Sequence, residues 1–227
     1  MANDPEHGGY GAPERLSFGV DEAVFPWLPM LLDAYYIIDQ GVAAGVRRER
    51  GKGRQLACAK GCSNCCRAHK TIPVYPLELV GLTWYVTEKL QGPRREALKG
   101  QLRAHRKGDP CPFLVDGVCS VHPMRPVACR QFNVFGEVCA PDEDAFYTRR
   151  RDVLTPNPKY ADKAFFTMLP FYGVQDPAER RKLAKSGAVH RLAQVLQECS
   201  WESLADRMDE YDRRHSDGRP APDASCR

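Results

Sequence analysis

The sequence predicts a mainly α-helical chain with one small β-hairpin, its helices packed around an irregular, cysteine-rich core. Three observations predict this class. Apolar residues recur at helical steps over 28–49, 77–89 and 177–199. Asp116-Gly117, set between two short apolar runs, is a strong two-residue hairpin signal. Eight of the ten cysteines crowd between Cys58 and Cys139, in a stretch punctuated by glycine and proline. Strands do not alternate with helices, which argues against a β/α barrel or a doubly wound sheet.

The elements follow in order. Residues 1–17 are rich in Gly, Pro and charge and are expected to be disordered. Over 28–49, Pro29 suits a first helical turn, and Leu32, Tyr35, Tyr36, Ile38 and Val42 give the buried stripe. Gly51-Lys52-Gly53 ends that helix. Pro73 and Pro76 make Thr71–Tyr75 extended. Leu77–Lys89 reads as an amphipathic helix and Pro93–His105 as a more polar one. Phe113–Val115 and Val118–Val121 form the hairpin arms, and Arg125–Gln131 a short helix.

Prolines at 141, 156, 158 and 170 suggest an irregular segment over 140–176. Residues 177–199 read as a single helix, with Cys199 a small buried hydrophobe on it. Trp201–His215 reads as a helix whose charged run from Asp206 to Arg214 is a solvated face. Residues 216–227, with Cys226, are expected to be a flexible tail, leaving 18–215 as a single domain.

Composition narrows the function classes. With 33 basic and 29 acidic residues the net charge is only +4, and it is scattered, so nucleic acid is not an expected partner. The longest apolar stretches, such as Val24–Met30, are short and broken by proline, so no membrane span is expected. The opening residues hold no apolar signal core, and the expected location is the cytoplasm. Thiols stay reduced there, so clustered cysteines read as metal ligands before disulfides. The irregular core is therefore expected to be stabilised by metal.

The first block is Cys58-x3-Cys62-x2-Cys65-Cys66. The C-x2-C spacing lets one loop grip one metal with two thiolates. Neighbouring side chains diverge on a helix or strand, so both members of Cys65-Cys66 rarely face one ion. Either one of them points into the core or the pair serves two centres. The second block runs Cys111, Cys119, Cys129 and Cys139, with the Asp116-Gly117 hairpin folding Cys119 back toward Cys111. A metal with four thiolates carries about two negative charges that need an offset in a low-dielectric site. Arg125 and Arg130 are the expected charge-balancing residues, since a guanidinium donates several hydrogen bonds and stays charged. His69 and His122 read as neighbours of the site rather than ligands.

Cys62-x-x-Cys65-Cys66, then Cys111-Pro-Phe-Leu, Asp116-Gly117-x-Cys119 and Arg125-Pro126-x-x-Cys129-Arg130 together resemble the zinc- or iron-chelating domain family, the YkgJ-type CxxCxxCC cysteine-cluster proteins. The resemblance covers about residues 56–140 and implies metal chelation. Its leading spacing departs from the family name, C-x3-C standing where C-x2-C is implied. Longer relatives, the flagellin lysine methylases, share the cluster, but this short chain gives no warrant for methyl transfer. The Cys58-x3-Cys62-x2-Cys65 spacing of radical S-adenosylmethionine enzymes also fits. It is set aside because no β/α units follow it and Asn64 replaces the usual aromatic.

The expected ligands are thus Cys58, Cys62, Cys65, Cys66, Cys111, Cys119, Cys129 and Cys139, holding an iron–sulfur cluster or iron, with zinc as the alternative. Three function classes stay open. They are a metal-binding protein with or without a protein partner, a metal-dependent redox or modification enzyme, and a structural zinc module for protein contacts.

Overall fold

One long helix carries most of the core. The computed structural model describes residues 12–215. A short helix, α1 (Val20–Val24), precedes α2 (Trp27–Arg50), whose 24 residues span about 36 Å. Leu28, Leu31, Leu32, Tyr35, Ile38, Val42 and Val46 are buried along α2, the stripe its periodicity predicts. The part of the expected disordered segment that is described is tied down. Arg15 reaches Asp33 at 2.5 Å and Glu22 at 2.8 Å. Residues 1–11 and the expected tail 216–227 with Cys226 lie outside the described residues.

The remaining elements are short. They are α3 (Asn64–Ala68), β1 (Pro73–Val74), α4 (Pro76–Trp84), α5 (Pro93–Ala104), β2 (Leu114–Val115), β3 (Val118–Cys119), α6 (Val127–Gln131), α7 (Ala145–Thr148), α8 (Pro158–Met168), α9 (Pro177–Ser186), β4 (Gln194–Val195) and α10 (Glu202–His215). The chain is mainly helical, with two antiparallel strand pairs. β2–β3 is the predicted hairpin, pairing Leu114 with Cys119 and Val115 with Val118. Asp116 and Gly117 both have positive φ, 50° and 75°, as a type I′ turn requires. β1 pairs with β4, Pro73 opposite Val195. Among the described residues no helix is long and apolar enough to cross a membrane.

Three expectations fail for identifiable reasons. Segment 140–176 is not irregular throughout, because Pro158 is the first residue of α8, where a missing N–H costs nothing. Asn157 caps that helix by accepting from the Lys159 amide. The helix expected over 177–199 stops at Ser186. Gly187 takes the left-handed conformation there (φ 66°), and the chain turns back to form β4. Cys199 accordingly ends a short 3₁₀ turn instead of sitting on an α-helix, and it is half-buried instead of buried. The charged face of α10 is not simply solvated. Asp212 meets Arg95 at 2.8 Å and Asp209 meets Lys99 at 3.0 Å, docking α10 on α5.

α8 packs closely on α2 because Gly41 and Gly45 leave no side chain in the way. A Cβ on Gly41 would stand 2.7 Å from the Tyr160 Cβ, which lies next to the backbone and cannot swing aside. Gly41→Ala should therefore cost about 2 kcal/mol despite the better helix propensity of alanine. Chemical denaturation checks this, and an unchanged midpoint would show that α8 yields freely.

Candidate metal centre

The fold converts two sequence blocks into one wall. Residues 55–57 run extended beside 134–136. The Ala57 amide donates to the Val134 carbonyl, and the Gly136 amide to the Gln55 carbonyl, both at 2.8 Å. Residues 133–135 also bond to 152–154 on their other side. This pairing sets the start of the first block beside the end of the second. Further on, the Cys111 amide donates to the Cys66 carbonyl at 2.8 Å, tying α3 to the base of the hairpin.

The result is a cleft of about 1650 Å³. Cys58, Cys62, Cys65, Cys66, Cys111, Cys119 and Cys129 all line it. Cys139 stands just behind, packed with Cys58 against Val134, Ala145 and Val153. Cys66, Cys111, Cys119 and Cys129 instead pack on the main core. All described cysteines are free thiols.

The sulfurs feel one another across this division. Burial pushes the Cys58 thiol up to about 11, and the nearby Cys62, Cys65 and Cys139 sulfurs add to the shift. The Val134 amide donates to the Cys58 Sγ at 3.3 Å and works against it. Cys66 is pushed up to about 12, first by its hydrogen bond with the Cys111 thiol. The Cys65 thiol is raised by its hydrogen bond with Cys66 and by burial. Burial also raises Cys129, helped by Cys65, Cys66 and Cys119. Thus the tandem pair faces both ways. Cys65 influences the Cys58 side as well as Cys119 and Cys129, while Cys66 bonds toward Cys111.

Among the described residues no group of three or more His, Cys, Asp or Glu side chains is already placed to hold a metal ion. The donor chemistry nonetheless fits a thiophilic metal. Cys66 hydrogen-bonds with the Cys65 and Cys111 thiols, and a metal would replace such protons and draw the sulfurs inward.

The flanking cations divide. Arg125 lowers the Cys119 pKa and contacts His122, whose own pKa burial pushes down to about 4. The Arg130 guanidinium is committed to other partners. It bonds Asp39 at 2.6 Å and the Arg125 carbonyl at 2.9 Å, and it lies 4.0 Å over the Tyr35 ring. Placed one residue after Cys129, it leaves α6 about 100° further round the helix and pins that helix to α2.

Sequence reasoning missed three residues. Arg149 Nη2 stands 3.7 Å from the Cys139 Sγ, and its charge favours the thiolate there. Glu78, fully buried, accepts from the Val127 amide at 2.6 Å and from the Tyr75 amide at 3.0 Å. It thereby joins α4 to the start of α6, which carries Cys129. Asp39 completes the clamp through Arg130. A buried acid on an apolar helix was the only available signal for Glu78. His69 stacks edge-on to Phe132 at 4.2 Å. Its Nε2 stands 3.2 Å from the Asp144 carboxylate without hydrogen-bond alignment.

No curated protein and no solved structure matches the chain. A family model does match, over residues 57–159, a stretch that holds all eight clustered cysteines and also Asp144, Arg149 and Arg150. Its description is "putative zinc- or iron-chelating domain". The thiols that line the cleft thus all lie in the stretch that matches the CxxCxxCC domain, which covers a little under half of the chain.

Proposed function

We propose that the chain is a thiolate metal-binding protein that carries iron as an iron–sulfur cluster. Residues 18–215 act as its single metal-binding domain. Cys58, Cys62, Cys65, Cys66, Cys111, Cys119, Cys129 and Cys139 are the donors, with Arg125 and Arg149 offsetting the charge. The observation that carries the reading is that seven of the eight line one cleft although they come from segments up to about seventy residues apart. Iron–sulfur chemistry is favoured over one zinc because eight thiols exceed what one tetrahedral ion takes. Their two packing environments, meeting at Cys65-Cys66, suit two adjacent groups of four. The same cleft favours, as a second reading, a redox or modification enzyme, since it has room beside the sulfurs for a substrate.

Anaerobic isolation followed by iron, zinc and acid-labile sulfide quantitation tests the first reading. Iron and sulfide in equal amounts, with visible absorption, are expected. Zinc without sulfide would overturn the cluster but keep thiolate chelation. A folded, colourless, metal-free protein would overturn both.

A further inference from the structure

The cleft continues well beyond the thiols, and its far wall is built differently. Two arginine-rich segments meet there, 47–54 at the end of α2 and 149–151 after α7. Arg54 joins them by donating to the Arg151 carbonyl at 2.9 Å and to the Asp152 carboxylate at 3.1 Å. The local carboxylates are all engaged. Glu49 holds Lys52 at 2.9 Å, with Arg48 and Arg54 at 3.1 Å. Glu143 holds Arg149 at 2.8 Å. Asp144 accepts from the Phe146 amide at 2.9 Å and faces His69. Arg150, which lines the cleft, has no carboxylate partner among the described residues. Its guanidinium lies 4.8 Å over the Phe146 ring.

The aromatic surface at the same place also lacks cover. Phe146 and Tyr147 are 45% and 75% exposed, their rings 5.3 Å apart at 82°. Both line the cleft, as do the apolar side chains of Leu56, Val153 and Leu154. Arg149 by contrast lies against the Cys139 sulfur, while the Arg150 guanidinium is turned over the Phe146 ring.

We propose that this outer half of the cleft binds an organic anion with an aromatic body. Arg150 receives the carboxylate, Phe146 and Tyr147 stack on the ring, and Leu56 and Leu154 take the remaining apolar edge. A carboxylate gains two parallel hydrogen bonds from a guanidinium, and an aryl ring covers surface that is otherwise wet. The site does not depend on the metal reading, because every residue it uses lies off the sulfurs.

The test is binding of 1-naphthoate against its neutral counterpart 1-naphthamide, followed by ligand-detected NMR on the full chain, both as isolated anaerobically and after metal removal. Naphthoate should bind at least about 10-fold tighter than the amide, as expected for one charge-assisted contact. Arg150→Ala should abolish that preference, and Tyr147→Ala should weaken both ligands. Arg151→Ala, on an exposed neighbour that does not line the cleft, should change neither. All three positions are exposed, so the variants fold. Equal affinity for the two probes, or Arg150→Ala behaving like Arg151→Ala, would overturn the proposal whatever the metal content.

Discussion

Exchanging Cys66 for serine should lower metal affinity by more than about 100-fold, since even residues supporting a metal ligand are worth 10- to 100-fold. Cys66 sits at the joint of the two thiol groups. Its sulfur hydrogen-bonds with those of Cys65 and Cys111, and its carbonyl takes the Cys111 amide at 2.8 Å. Serine keeps the size and the backbone bond but offers a hard oxygen that does not ionise near neutral pH. The fold should therefore survive while binding is lost. Cys199→Ser is the matched control. That sulfur lies near Gln194 and the Val195 carbonyl, outside the cleft, and its loss should leave affinity unchanged. Competition with a chromogenic chelator, alongside circular dichroism, reads both. Full affinity in Cys66→Ser would remove it from the donor set.

The second large effect concerns Glu78. Glu78→Ala leaves two buried amides, those of Tyr75 and Val127, without their acceptor, and should cost about 3 kcal/mol. It should also loosen α6 and with it Cys129. The pH dependence is more specific. Burial pushes the Glu78 carboxyl up to about 7, against the two amides and the nearby Arg130 charge and Tyr35 hydroxyl, which act to lower it. The folded protein thus holds this proton where the unfolded chain, near 4.5, has released it. That contribution to stability is fully present below pH 4.5 and is lost as pH rises to about 7. His69 and His122, both lowered chiefly by burial, act oppositely and gain stability as pH rises through part of the same window. The readout is therefore the difference between wild type and Glu78→Gln in the metal-free protein. Relative to the variant, wild type should lose stability between pH 5 and pH 7.5. Parallel curves would show that Glu78 does not titrate there.

Much of the fold was legible because local rules dominated. The α2 stripe, the Asp116-Gly117 turn and the extended Pro73–Val74 follow from periodicity, positive φ and proline geometry. α8 was lost because three prolines nearby read as breakers, although Pro158 begins the helix and Asn157 caps it. The false extension of α9 came from apolar spacing that continued past Gly187, where only the cap marks the stop. The cysteine blocks were legible as a set, but their grouping was not. It depends on 55–57 pairing with 134–136, a contact between residues far apart in the chain. The partners of Arg130 were hidden for a related reason. Adjacency to Cys129 in sequence places the two on different faces of α6, and Asp39, about ninety residues earlier, decides where the guanidinium goes.

Thiol alkylation, read by mass spectrometry residue by residue with and without bound metal, tests convergence of the two blocks most directly. Cysteines of 58–66 and of 111–139 should become protected together as metal is added, while Cys199 keeps the same reactivity. Protection confined to one block, or absent from both at full metal loading, would contradict a shared centre.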